Sequence, residues 1–154
     1  MLNRIQHRIL IIDDDLDLLM LLERRLQKEG YEIETAASLP EAEEIIASFA
    51  PHMVLLDINV NGEDGRQLCW KLKMTDHTRD IKVIIMSGYD YSTGRAVLFG
   101  ANELLPKPLN MEFLFHRIES LLGIMPGSSS LLPGLNESLL NKDANPGLKA
   151  LTRR

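Results

Sequence analysis

Short apolar runs that stop at charged or hydroxyl residues alternate along this chain with longer stretches of helical periodicity, and that alternation admits few folds. Ile9 to Ile12 is the first run, closed by three aspartates, and it reads as a strand buried on both faces. Leu18, Leu19, Leu22 and Leu26 then recur at helical spacing up to Gly30, which predicts a helix from Asp15 to Glu29. Tyr31, Ile33 and Thr35 alternate with charge as a second, more exposed strand. Ser38 and Glu41 form a capping box with Pro40 in the first turn, and Ala42, Ile45, Ile46 and Phe49 give that helix its buried stripe before Pro51. Met53 to Leu56 is a third strand ending in Asp57, followed by a loop with Asn61, Gly62 and Gly65 and a helix carrying Leu68, Trp70 and Leu72. Ile81 to Met86 is the fourth strand, ending at Ser87-Gly88, with a weak helix over Ser92 to Phe99 after it. Leu104-Leu105 is a short fifth strand closed by Pro106-Lys107-Pro108, and Asn110 caps a last helix with Phe113, Leu114, Ile118, Leu121 and Leu122 on its apolar side. Five such units predict an α/β fold, a doubly wound five-stranded parallel sheet with helices on both faces, whose sites lie at the carboxyl ends of the strands.

After Leu122 the pattern stops. Pro126, Gly127, three serines and Pro133-Gly134 mark a linker or tail over 123–154, with a short helix conceivable around 135–142 and no aromatic residue after Phe115. The domain proper is therefore 1–122. With 45% apolar and 25% charged residues the chain has the composition of an ordinary globular protein. Its 22 acidic against 17 basic residues give a net charge of -5, which argues against direct nucleic-acid binding on a basic face. The four-residue apolar run after Arg8 is too short for a signal peptide or membrane span, and the single Cys69, set between Leu68 and Leu72, reads as a buried thiol in a reducing, cytoplasmic setting. His7, His52, His77 and His116 have no ligand spacing and receive no role.

The layout puts Asp13 and Asp14 at the end of strand one, Asp57 at the end of strand three, Ser87 at the end of strand four and Lys107 at the end of strand five. Crowded carboxylates repel and raise one another's pKa unless a cation joins them, and an all-oxygen set suits Mg²⁺. A hydroxyl and an ammonium opposite them supply a donor and a positive charge for a phosphoryl oxygen. Asp15 or Asp17, taken alone, reads as a helix cap.

From Arg8 to Leu122 this arrangement resembles the receiver domain of two-component response regulators, through Ile-Asp-Asp-Asp, Leu-Leu-Asp-Ile-Asn, Ile-Met-Ser-Gly and Pro-Lys-Pro in that order. The resemblance implies a flavodoxin-like receiver fold and a phosphoprotein carrying an aspartyl phosphate. Asp57 would be the phosphoacceptor, Asp14 a direct Mg²⁺ ligand, Asp13 a ligand through water and the backbone carbonyl of Asn59 a further ligand. Ser87 and Lys107 would bind the phosphoryl group, and Lys107-Pro108 matches the family's cis peptide. The implied donor is a histidine kinase or histidine phosphotransfer protein, and the implied outcome is signalling to a downstream protein target. A homodimer through the face of the fourth and fifth helices is open. Asn59 and Tyr89 occupy the positions on which water attack at the acyl phosphate depends in that family.

Three departures from the family pattern carry expectations of their own. Asn61 stands where a proline is usual and is expected to loosen its loop; Leu104 replaces an aromatic switch residue, so a smaller packing change is expected on phosphorylation; and the stretch from Ser87 to Gly100 is about two residues short. Two other readings stand beside the receiver. Asp13-x-Asp15 after a strand, with Ser87 and a later lysine, resembles an aspartate-nucleophile phosphohydrolase of the haloacid dehalogenase type, with Asp13 as nucleophile and Asp15 as general acid, but no later strand ends in the acidic pair that family needs. A receiver-shaped binding module that is never phosphorylated would not need Asp13, Asp14, Asp57, Ser87 and Lys107 together. No output domain is recognisable in 154 residues, so the expectation is a stand-alone receiver or one cut from a longer regulator after its linker.

Overall fold

The computed structural model describes residues 6–88 and 99–124. In chain order the elements are β1 (Arg8–Ile12), α1 (Leu16–Lys28), β2 (Glu32–Ala36), α2 (Leu39–Phe49), β3 (Met53–Asp57), β4 (Asn59–Val60), β5 (Glu63–Asp64), α3 (Arg66–Met74), β6 (Lys82–Ser87), β7 (Glu103–Pro106) and α4 (Met111–Leu122). Five strands form one parallel sheet in the order β2-β1-β3-β6-β7. Because β2 lies on one side of β1 and β3 on the other, the connections part company between β1 and β3, which opens a crevice at their carboxyl ends.

Alternation along the strands builds two cores. Ile9 and Ile11, Met53 and Leu55, Ile84 and Met86, and Leu105 pack with Leu19, Leu22 and Leu26 of α1 and Leu114 and Ile118 of α4. Leu10 and Ile12, Val54 and Leu56, and Val83 and Ile85 pack on the other side with Ala42 and Ile46 of α2 and Leu68, Cys69 and Leu72 of α3. A strand covered on both faces needs an unbroken apolar run, and β1 and β3 each supply one. Asp13 and Asp57 come next on strands already in register, Ile12 beside Leu56, so the first polar residues past each run emerge side by side.

The caps form as their residue types require. Asp15 accepts from the N–H groups of Asp17 and Leu18 at the start of α1, and Asn110 accepts from Phe113 at the start of α4. Ser38 accepts from Glu41 N–H while Glu41 accepts from Ala37 N–H, a capping box displaced by one residue on its return arm.

Several expectations need correction or fall elsewhere. The loop after Asp57 contains a two-stranded hairpin, β4 with β5, too short for side-chain periodicity to reveal. Phe113 does not join the apolar side of α4 but is 51% exposed, because the buried stripe runs through Leu114 and Ile118 a turn-step away. Phe99 is not helical: its φ of 51° is left-handed, and Gly100 follows at 86°. The rest of the expected fourth helix, Tyr89, and the short helix around 135–142 lie outside the described residues. Among the described residues no helix is long and apolar enough to cross a membrane.

Candidate functional site

Asp13, Asp14 and Asp57 converge, each offering a carboxylate oxygen within 4.8 Å of the others. Asp13 is fully buried; its Oδ1 accepts from Asp15 N–H at 2.9 Å and its Oδ2 from Lys107 Nζ at 2.6 Å. Asp57 is 8% exposed, with Oδ1 accepting from Asn59 N–H at 3.4 Å and Oδ2 lying 3.4 Å from Lys107 Nζ. Asp14 is exposed and accepts from the backbone N–H of Asn61 at 2.9 Å. Lys107 reaches in from just beyond β7, where the Lys107-Pro108 peptide is cis and the Lys107 N–H donates to Ser87 carbonyl at 2.7 Å. Ser87, buried at the end of β6, thus stands beside Lys107, one strand from Asp57.

Electrostatics follow from this crowding. Burial, then the charge of Asp13, raises the pKa of Asp57 above the usual carboxylate range, and Lys107 offsets only part of it. Burial works against the Lys107 ammonium, but its hydrogen bond to Asp13 and the charges of Asp13 and Asp57 outweigh it and hold the pKa above the ordinary lysine value. The site therefore contains more negative charge than one lysine balances.

Chain segments around the cluster are held by groups that side-chain type alone does not announce. Gly65, just before α3, packs so closely on the end of β3 that a Cβ there would lie 2.2 Å from the carbonyl oxygen of Asp57. Its N–H donates to Ile58 carbonyl at 2.8 Å, while Ile58 N–H donates to Met86, so neither partner can step aside freely. Gly65→Ala should cost about 1–3 kcal/mol of unfolding free energy in urea titration and shift the Asp57 carboxylate out of register with Lys107. A wild-type midpoint in that variant would refute the packing argument. Asn61 makes two hydrogen bonds from this loop, one from its N–H to Asp14 and one from its side chain. It sits in the left-handed region at φ 53°, which asparagine tolerates, and its side-chain Nδ2 donates to Ala37 carbonyl at 3.0 Å. A proline there could neither adopt that φ nor donate to Asp14.

His7 and His52 meet at the amino end of β1. His52 Nδ1 accepts from Arg8 N–H at 2.9 Å, and its ring meets that of His7 edge-on at 5.4 Å, at the end of β1 opposite the carboxylates. Cys69 is buried, with its thiol pushed up to about 11 by desolvation.

Residues 9–119 match the response regulator receiver domain family. The chain belongs to that family. Among curated relatives, this receiver is 33% identical to the response regulator PleD of Caulobacter vibrioides over 159 residues, covering 90% of this chain and 35% of that protein. It is 35% identical to the response regulator MprA of Mycolicibacterium vanbaalenii over 117 residues, covering 75% of this chain and 50% of that protein. The chain thus spans half or less of the length of these relatives. A CheY-like receiver domain protein from Methanospirillum hungatei superposes with a TM-score of 0.69 at 32% identity, over 77% of this receiver and 96% of that one. The response regulator TrrA of Thermotoga maritima, solved in complex with Mg²⁺ and beryllofluoride, gives 0.68 at 30% identity, over 75% and 99%. The parallel sheet and its helices are the receiver fold of response regulators.

Proposed function

We propose that the chain takes a phosphoryl group from a histidine kinase or histidine phosphotransfer protein onto Asp57 and signals to a downstream protein target by a change of conformation, within the cytoplasm. The observation that carries this reading is the meeting of three carboxylates with Lys107 at the carboxyl ends of β1, β3 and β7. The donor set suits Mg²⁺, since all three carboxylates offer oxygen, and a hard cation would offset both the burial and the neighbouring Asp13 charge that raise the pKa of Asp57. Asp13, Asp14, Asp57 and the backbone carbonyl of Asn59 would hold it, with Asp13 acting through water. Bound there, Mg²⁺ supplies positive charge against the phosphoryl oxygens.

The chain's own groups do the rest. One Asp57 oxygen forms the new bond to phosphorus while the bond from phosphorus to the donor's imidazole nitrogen breaks, its electron pair returning to the ring. A carboxylate needs no base to deprotonate it, so no general base is required among the neighbours. Lys107 and the Ser87 hydroxyl hold the phosphoryl oxygens, and Ser87, linked through its carbonyl to Lys107, passes the change on to β7. Residues 1–122 would form this receiver and 123–154 a linker or tail, with a homodimer through the face of the fourth and fifth helices expected from the sequence as one way for the signal to leave.

Incubation with acetyl phosphate should add the mass of one phosphoryl group only when Mg²⁺ or Mn²⁺ is present, read by intact-mass analysis. Peptide mapping should place it on Asp57. A label on Asp13 would replace this reading with the phosphohydrolase, and no label from any small donor would leave the non-phosphorylated binding module.

A further inference from the structure

We infer that Asn61 is a positioning residue for the cation site, its backbone N–H orienting the Asp14 carboxylate and its side-chain amide tying that orientation to the loop after β2. The inference rests on the proposed use of the three aspartates to hold Mg²⁺. Asp14 is the exposed member of the cluster, free of the packing that fixes Asp13 and Asp57. An exposed carboxylate left to itself samples several rotamers, and each one that turns away from Asp13 and Asp57 lowers the fraction of molecules ready to bind a cation. The Asn61 N–H, 2.9 Å from Asp14 Oδ2, is a charge-assisted bond that selects one of those rotamers and leaves the second oxygen for the metal.

Residue 61 is left-handed, and its side chain is tied on the other side by the bond from Asn61 Nδ2 to Ala37 carbonyl. Ala37 N–H in turn donates to Glu41 Oε1 at the start of α2. A continuous hydrogen-bonded chain therefore runs from Asp14 through Asn61 and Ala37 to the cap of α2, away from Ser87 and β7. Neutralising Asp14 with a cation weakens its claim on the Asn61 N–H, and the tether carries the adjustment to the 37–38 peptide. Occupation of the site should be felt at the β2 end of the sheet as well as along the route through Ser87.

Titration with Mg²⁺ followed by amide NMR on the full chain tests both halves. In the wild type, the amides of Asn61 and Ser38 should shift with the same affinity. Asn61→Pro, lacking the donor, should bind Mg²⁺ roughly tenfold more weakly, the usual cost of losing a group that orients a ligand. Asn61→Gly keeps the N–H and suits φ 53°, so its affinity should stay within about twofold of wild type while the Ser38 response disappears. In an Asp14→Ala background, Asn61→Pro should cost nothing further, because the residue acts through Asp14. Wild-type affinity in Asn61→Pro, an equal loss in the Asp14→Ala background, or a full Ser38 response in Asn61→Gly would each overturn the inference and leave the phosphoacceptor reading intact. The last of these stands even if the proline variant does not fold. Absence of any Mg²⁺ response in the wild type would instead overturn the phosphoacceptor reading, and this inference with it.

Discussion

Asp57→Asn is expected to take up no phosphoryl group under conditions that label the wild-type chain to completion. Asp13 cannot stand in for it. Both Asp13 oxygens are engaged, one by Asp15 N–H and the other by Lys107, and no part of the side chain reaches solvent. Asp14 is accessible but sits opposite Asn61 rather than beside Lys107, so a phosphoryl group arriving there would lack the ammonium. The same variant has a second, opposite consequence for stability. Asp57's folded pKa is raised, so its protonation favours the fold fully below the ordinary value of 3.8, and that contribution is lost as pH rises through the folded value. At neutral pH the ionised group works against the fold, and the neutral amide should melt higher than wild type when no divalent cation is present. Millimolar Mg²⁺ should narrow or reverse the difference, because a cation that binds only the folded state stabilises the better ligand set more. Thermal melts with and without Mg²⁺, at pH 7 and near pH 4, read this out; a variant that melts lower than wild type in chelator would refute the account of Asp57.

Much of this was legible in the sequence, for a reason visible in particular residues. β1 and β3 are covered on both faces, so they appear as unbroken apolar runs, and each run ends at its first charged residue, Asp13 or Asp57. Parallel strands in register then force those ends together, which is why residues 44 apart in sequence could be placed in one site from pattern alone. Gly65 and Asn61 escaped as site elements because their contributions belong to the backbone. One is the absence of a Cβ against Asp57 carbonyl, and the other is a backbone N–H donated to Asp14; neither is encoded by side-chain polarity. Phe113 was misplaced because helical periodicity fixes which stripe is buried but not how wide it is. Leu114 and Ile118 fill the space over the sheet, and a ring one residue earlier is left at the margin.

Lys107→Ala should slow phosphorylation by roughly 10²–10³-fold, the scale on which one charge-stabilising donor contributes to a transition state. Structure and chemistry pull in different directions here, and the geometry decides each sign. In the free protein the Nζ group lies 2.6 Å from Asp13 and 3.4 Å from Asp57, so it already neutralises part of the charge a divalent cation would meet. Removing it leaves Mg²⁺ affinity unchanged or higher, because a like charge has left the site. Stability in the absence of metal should fall, by about 3 kcal/mol at most, since fully buried Asp13 loses its cationic partner and faces Asp57 unshielded. That part of the wild-type advantage is present below the ordinary lysine value of 10.5 and is lost as pH climbs through the raised folded value, so the two proteins should converge in strongly alkaline solution. Mg²⁺ should restore most of the lost stability to the variant without restoring the rate, which separates the lysine's structural part from its part in transfer. Calorimetric Mg²⁺ titration and urea unfolding check the two signs, and a variant that binds Mg²⁺ much more weakly than wild type would contradict the placement of Lys107 between Asp13 and Asp57.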